Sequence, residues 1–99
     1  MKHKERKDPH DLFRDALSDE NIPRIYCNGF THAMGSGDMA ILLQLFGKPV
    51  ALVNMSHTVG KTLAEHLGTL IADLESKSGK SIMTTGEVDK AVIHGDKNE

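Results

Sequence analysis

Residues 25–55 carry apolar side chains at both odd and even positions, yet only one long amphipathic segment follows to cover them. A strand that is apolar on both faces needs cover on both. One helix can cover one face of a small sheet. The second face must therefore meet another part of the chain or another molecule. In a chain of 99 residues a second copy of itself is the leading expectation.

Composition explains why cover is scarce. The hydrophobic fraction is 38%, and it is concentrated between Ile25 and Leu74, while residues 1–24 and 76–99 are polar and charged. The apolar part is thus only about fifty residues, a size that is marginal alone and that oligomerisation would relieve. A formal net charge of −2 and a pI of about 6.3 supply no global field to attract nucleic acid or acidic lipid. Cys27 is the single cysteine and has no internal disulfide partner. No segment has the apolar run of a signal peptide or of a membrane-spanning helix, so no membrane association and a cytoplasmic location are the default expectations.

The chain order predicts an α+β fold. Residues 1–8 form a basic tail, with Lys2, Lys4, Arg6 and Lys7 against Glu5, and should be disordered. Residues 9–23 hold a short helix and a linker: Asp8 caps, Pro9 opens the first turn, Leu12, Phe13, Ala16 and Leu17 form a stripe, and Pro23 ends the segment. The core is expected over 24–78. It begins with a strand from Arg24 to Met34, a turn at Gly35–Asp38, a strand at Met39–Phe46, a turn at Gly47-Lys48-Pro49 and a strand at Val50–Met55, together a three-stranded antiparallel meander. One long helix follows, capped by Ser56 and ending before Ser78-Gly79. Its stripe of Val59, Leu63, Leu67, Leu70 and Leu74 is expected to lie on the sheet. Residues 79–99 read as a polar and largely flexible segment, with room for a short strand or helical turn.

A second stripe of the long helix consists of Gly60, Ala64, Gly68 and Ala72, four residues apart. Two internal glycines cost about 1 kcal/mol each relative to alanine, which argues that something approaches closely there. The helix seated on its own sheet and helix-to-helix contact between two copies both satisfy this. Together with Tyr26, Phe30 and Leu42 of the sheet, these four positions make the candidate oligomer interface.

The chemical motifs are weak beside this packing signal. Gly60-Lys61-Thr62 ends like a phosphate-binding loop, but the required earlier glycine is replaced by Met55 and the leucine stripe demands helix there. His57 and His66 fall on opposite sides of one helix, and although His32 on its strand could meet His57 in space, a pair of surface histidines is far commoner than a metal site. Cys27 would need a base and an oxyanion hole that the sequence does not display. Gly35-Ser36-Gly37-Asp38 needs no ligand to explain it as a turn. No catalytic residue, cofactor site or metal site is expected.

Tyr26-x-Asn28, a Gly-x-Gly-Asp turn ending at Asp38, Phe46-Gly47 at the end of the second strand, and Met55-Ser56 leading into a leucine-rich helix together resemble a family of short prokaryotic proteins known as a domain of unknown function. The likeness covers residues 25–75. It implies the strand and helix order above and no activity, because that family has none established. The extended N-terminal segment and the Gly60/Gly68 helix depart from its pattern.

The leading expectation is a small homo-oligomeric interaction or adaptor protein without catalysis, most simply a dimer. One alternative is a nucleic-acid-associated protein using the basic arm of Lys2, Lys4, Arg6 and Lys7. Another is a small-molecule binder or enzyme with Cys27, His32 and His57 around a dimer cleft. Folding of helix 9–18 over the second sheet face is the intrachain rival to a partner, although its four apolar residues are too few to cover it.

Overall fold

Six elements follow one another in a computed structural model that describes residues 8–97, with side chains described through residue 93. They are α1 (Pro9–Leu17), β1 (Gly29–Met34), β2 (Asp38–Leu45), β3 (Lys48–Ser56), α2 (His57–Ser78) and α3 (Thr85–Lys97). The strands form one antiparallel sheet in the order β1-β2-β3, so the fold is α+β. The chain divides into two units, Met1–Asn54 and Met55–Glu99, and this division falls inside the 24–78 segment expected as one core. The basic tail predicted over residues 1–8 lies, apart from Asp8, outside the described residues.

In the first unit, α1 starts where its sequence dictates. The Asp8 carboxylate accepts the His10 N–H at 2.8 Å, and Pro9 occupies the first turn, where its missing N–H costs nothing. Arg14 pairs with Asp11 one turn away at 2.6 Å, an exposed contact that stabilises the helix only slightly. Leu12, Phe13 and Leu17 remain exposed, so α1 does not serve as cover for the sheet.

The first strand begins at Gly29 rather than at the expected Arg24. The register pairs Gly29 with Gln44 and Met34 with Met39. Asn28 also donates its N–H to the Gln44 carbonyl, at 3.0 Å, so two residues of one strand face one of the next. Such a bulge ends the ladder, and β2 itself stops at Leu45, leaving residues 24–27 nothing to pair with.

The second turn also differs from expectation. It is Phe46-Gly47 alone, both with positive φ (50° and 81°), as in the two central positions of a type I′ hairpin turn. Lys48 and Pro49, expected in the turn, open β3 instead. Proline is tolerated because β3 is an outer strand, where a missing N–H can face away from the ladder.

In the second unit, Ser56 caps α2 by accepting the Val59 N–H at 3.1 Å, and Gly79 ends it in the left-handed conformation (φ 71°). The Glu75 carboxylate accepts the Ile82 N–H at 2.7 Å and the Ser81 hydroxyl at 3.4 Å, fixing the chain as it leaves the helix. The segment expected to be largely flexible contains α3. A reciprocal capping box starts it: Thr84 donates its N–H to Glu87 Oε1 at 2.8 Å and its hydroxyl accepts the Glu87 N–H at 3.2 Å.

Candidate functional site

Pairing across β1 and β2 sorts the sheet's side chains onto two faces, since residues directly opposite share a face. Phe30, His32 and Met34 stand with Leu43, Ile41 and Met39; Gly29, Thr31 and Ala33 stand with Gln44, Leu42 and Ala40. The first face is the more apolar. Phe30 and His32 are neighbours on it, with ring centroids 6.1 Å apart. Phe30 is 65% and Met34 69% exposed, and all of β2 from Met39 to Leu45 is only half-buried. On the opposite face the Thr31 hydroxyl donates to Gln44 Oε1 at 2.8 Å.

This register separates two residues that the sequence grouped together. Leu42 lies opposite Thr31, while Phe30 lies opposite Leu43, so Phe30 and Leu42 occupy opposite faces. Tyr26 precedes the sheet and is exposed.

At one end of the sheet, Asn28 Oδ1 accepts the Phe46 N–H at 2.9 Å. This bond bridges residues 18 apart and braces a turn whose first central position is unfavourable for phenylalanine, a side chain that rarely takes positive φ. The ring so held is 83% exposed. No local spacing in the sequence reveals this conformation.

On α2, the leucine stripe is no better covered than the sheet: Val59, Leu63, Leu67, Leu70 and Leu74 are 39–65% exposed. Of the small stripe, Gly60 is buried, whereas Ala64, Gly68 and Ala72 are exposed. A Cβ added at Gly68 would meet no atom within 4 Å.

The residues weighed for chemistry are distributed over both units. Gly60-Lys61-Thr62 lies within the opening turns of α2, and the Thr62 hydroxyl is engaged with the Thr58 carbonyl at 2.9 Å. Cys27 is exposed ahead of β1, His32 sits in β1, and His57 and His66 belong to α2. Among the described residues no three His, Cys, Asp or Glu side chains gather as a metal ion would require. An open depression of about 340 Å³ at the β1–β2 turn is lined by Ala33, Met34, Gly35 and Met39, with Asp38 and Asn54 as its polar groups; it lacks the convergent polar set of a ligand pocket. Lys2, Lys4, Arg6 and Lys7 lie outside the described residues.

No helix among the described residues is long and apolar enough to cross a membrane. Comparison of the chain with protein-family models, with curated proteins and with solved structures gives no match.

Proposed function

We propose that this chain is a non-catalytic interaction protein that works as a homo-oligomer, a dimer in the simplest form, in which copies cover one another's apolar surfaces. The supporting observation is that no apolar side chain among the described residues is buried. A leucine or phenylalanine contributes on the order of 1.5–3 kcal/mol when fully withdrawn from water. Phe30, Met34, Leu52 and Leu70, each 62–69% exposed, contribute only a minor part of this, and a chain of this size has little else to offset the entropy of folding. Apolar patches this extensive characterise contact surfaces.

A second copy is the preferred partner because it is always present at the chain's own concentration and brings an equal stock of uncovered apolar faces. The small stripe of α2 is proposed as one contact, since Gly68 offers room for close approach, with no atom of the described residues within 4 Å of an added Cβ. The resemblance to a domain of unknown function is kept as part of this proposal and adds no activity to it.

Light scattering on a sizing column tests the assignment. The native chain is expected to show at least twice its 10.8 kDa mass. Gly68→Glu is the probe, because a Cβ at that position has no atom of the described residues within 4 Å; it is expected to lower the mass toward the monomer. A native monomer would remove the assignment, and a native oligomer indifferent to Gly68→Glu would take the small stripe out of the interface.

A further inference from the structure

Among the described residues the sheet order gives β1 and β3 one edge each with no neighbouring strand, and the two edges are built differently. Open edges are normally defended by charge or proline against pairing with other chains. β3 begins with Lys48-Pro49. β1 reads Gly-Phe-Thr-His-Ala-Met, with no Lys, Arg, Asp, Glu or Pro.

The register says which backbone groups each edge presents. Gly35 donates its N–H to the Asp38 carbonyl at 2.7 Å, in step with the Met34–Met39 pairing. Hydrogen-bonded pairs recur every second residue in an antiparallel ladder. Hence Thr31 and Ala33 turn their N–H and C=O groups toward β2, while Phe30, His32 and Met34 turn theirs to the open edge. The same alternation turns Leu45, Leu43 and Ile41 of β2 toward β3, and the two-residue Phe46-Gly47 turn sets Lys48 opposite Leu45, so the next position, Pro49, faces outward. The edge of β3 thus lacks a donor where pairing would need one, and the edge of β1 keeps all three.

We propose that β1 is the joint between copies: it pairs antiparallel with β1 of a second copy about a two-fold axis, merging two sheets into one of six strands. The inference rests on the self-association proposed above and names its surface. An antiparallel strand is its own complement under two-fold symmetry. Centred on His32, with Phe30 of each copy opposite Met34 of the other, the pairing engages all the outward groups of both strands. It buries no carboxylate, ammonium or guanidinium, and it makes the apolar face bearing Phe30 and Met34 continuous across the joint.

Amide hydrogen exchange of the full chain by NMR tests this directly, alongside the molar mass of His32→Pro and Ala51→Pro. Both prolines fall at outward-facing positions of outer strands, so each leaves the chain's own ladder bonded. The Phe30, His32 and Met34 amides are expected to be protected at least about 100-fold in the oligomer and to lose that protection on dilution. His32→Pro is expected to weaken association by about 100-fold or more, with Ala51→Pro assembling like the native chain. An oligomer in which those three amides exchange freely, or one that tolerates His32→Pro, would overturn the β1 joint while leaving self-association in place. A native chain that is monomeric at every concentration would defeat self-association itself. Should His32→Pro fail to fold, the exchange of the native amides decides alone.

Discussion

Asn28 and Phe46 carry the clearest cause and effect at the scale of single residues. Phe46 adopts a backbone conformation (φ 50°) that costs a phenylalanine on the order of 1 kcal/mol or more, and the Asn28 side chain accepts its N–H at 2.9 Å. Asn28→Ala leaves that N–H to water alone and is expected to destabilise the protein by about 1 kcal/mol, read from the urea midpoint. Asn28→Asp keeps an acceptor and is expected to stay close to native; equal losses in both variants would deny the bond its role. Both residues were visible in the sequence as separate motif pieces, Tyr26-x-Asn28 and Phe46-Gly47. Their contact was not, because a bond across 18 residues leaves no local periodicity. Gly68 shows the converse: its spacing is plain in the sequence, and the structure adds that a Cβ there would have no atom of the described residues within 4 Å.

Among elements, local rules decided what could be read. α1 and α2 were legible to within a residue or two because Asp8-Pro9, Ser56 and Gly79 cap them by known chemistry. The polar composition of residues 79–99 leaves room only for a short strand or helical turn, whereas the Thr84-x-x-Glu87 capping box starts a helix of 13 residues, α3. Thr84→Ala is expected to cost α3 about 1 kcal/mol, seen as reduced helical circular dichroism at 222 nm; unchanged ellipticity would show the box to be idle. β3 begins two residues before the Val50 that the turn chemistry of Gly47-Lys48-Pro49 predicts, because an outer strand accepts Pro49. The same proline guards its edge, so Pro49→Val is expected to let sheets join at both ends and to give masses above the native assembly in light scattering. A variant with the native mass would show that β3 needs no guard.

For the whole molecule, the shortage of cover is legible in the sequence as two-faced strands followed by a single leucine stripe. The structure expresses it as exposed apolar side chains on the sheet and on α2 alike. Which faces meet is not legible, because apolar alternation specifies that a face is to be buried without specifying against what. The register moves Leu42 to the face opposite Phe30 for that reason. If copies supply each other's missing core, stability and association are one equilibrium, and the protein has no stable folded monomer. The most direct measurement is urea unfolding of the native chain at protomer concentrations from about 1 to about 100 μM, following secondary structure and molar mass together. Each tenfold rise in protomer concentration is expected to stabilise a dimer by about 1.4 kcal/mol, with dissociation and unfolding coincident. A midpoint that does not move with concentration, in a 10.8 kDa species, would contradict the account.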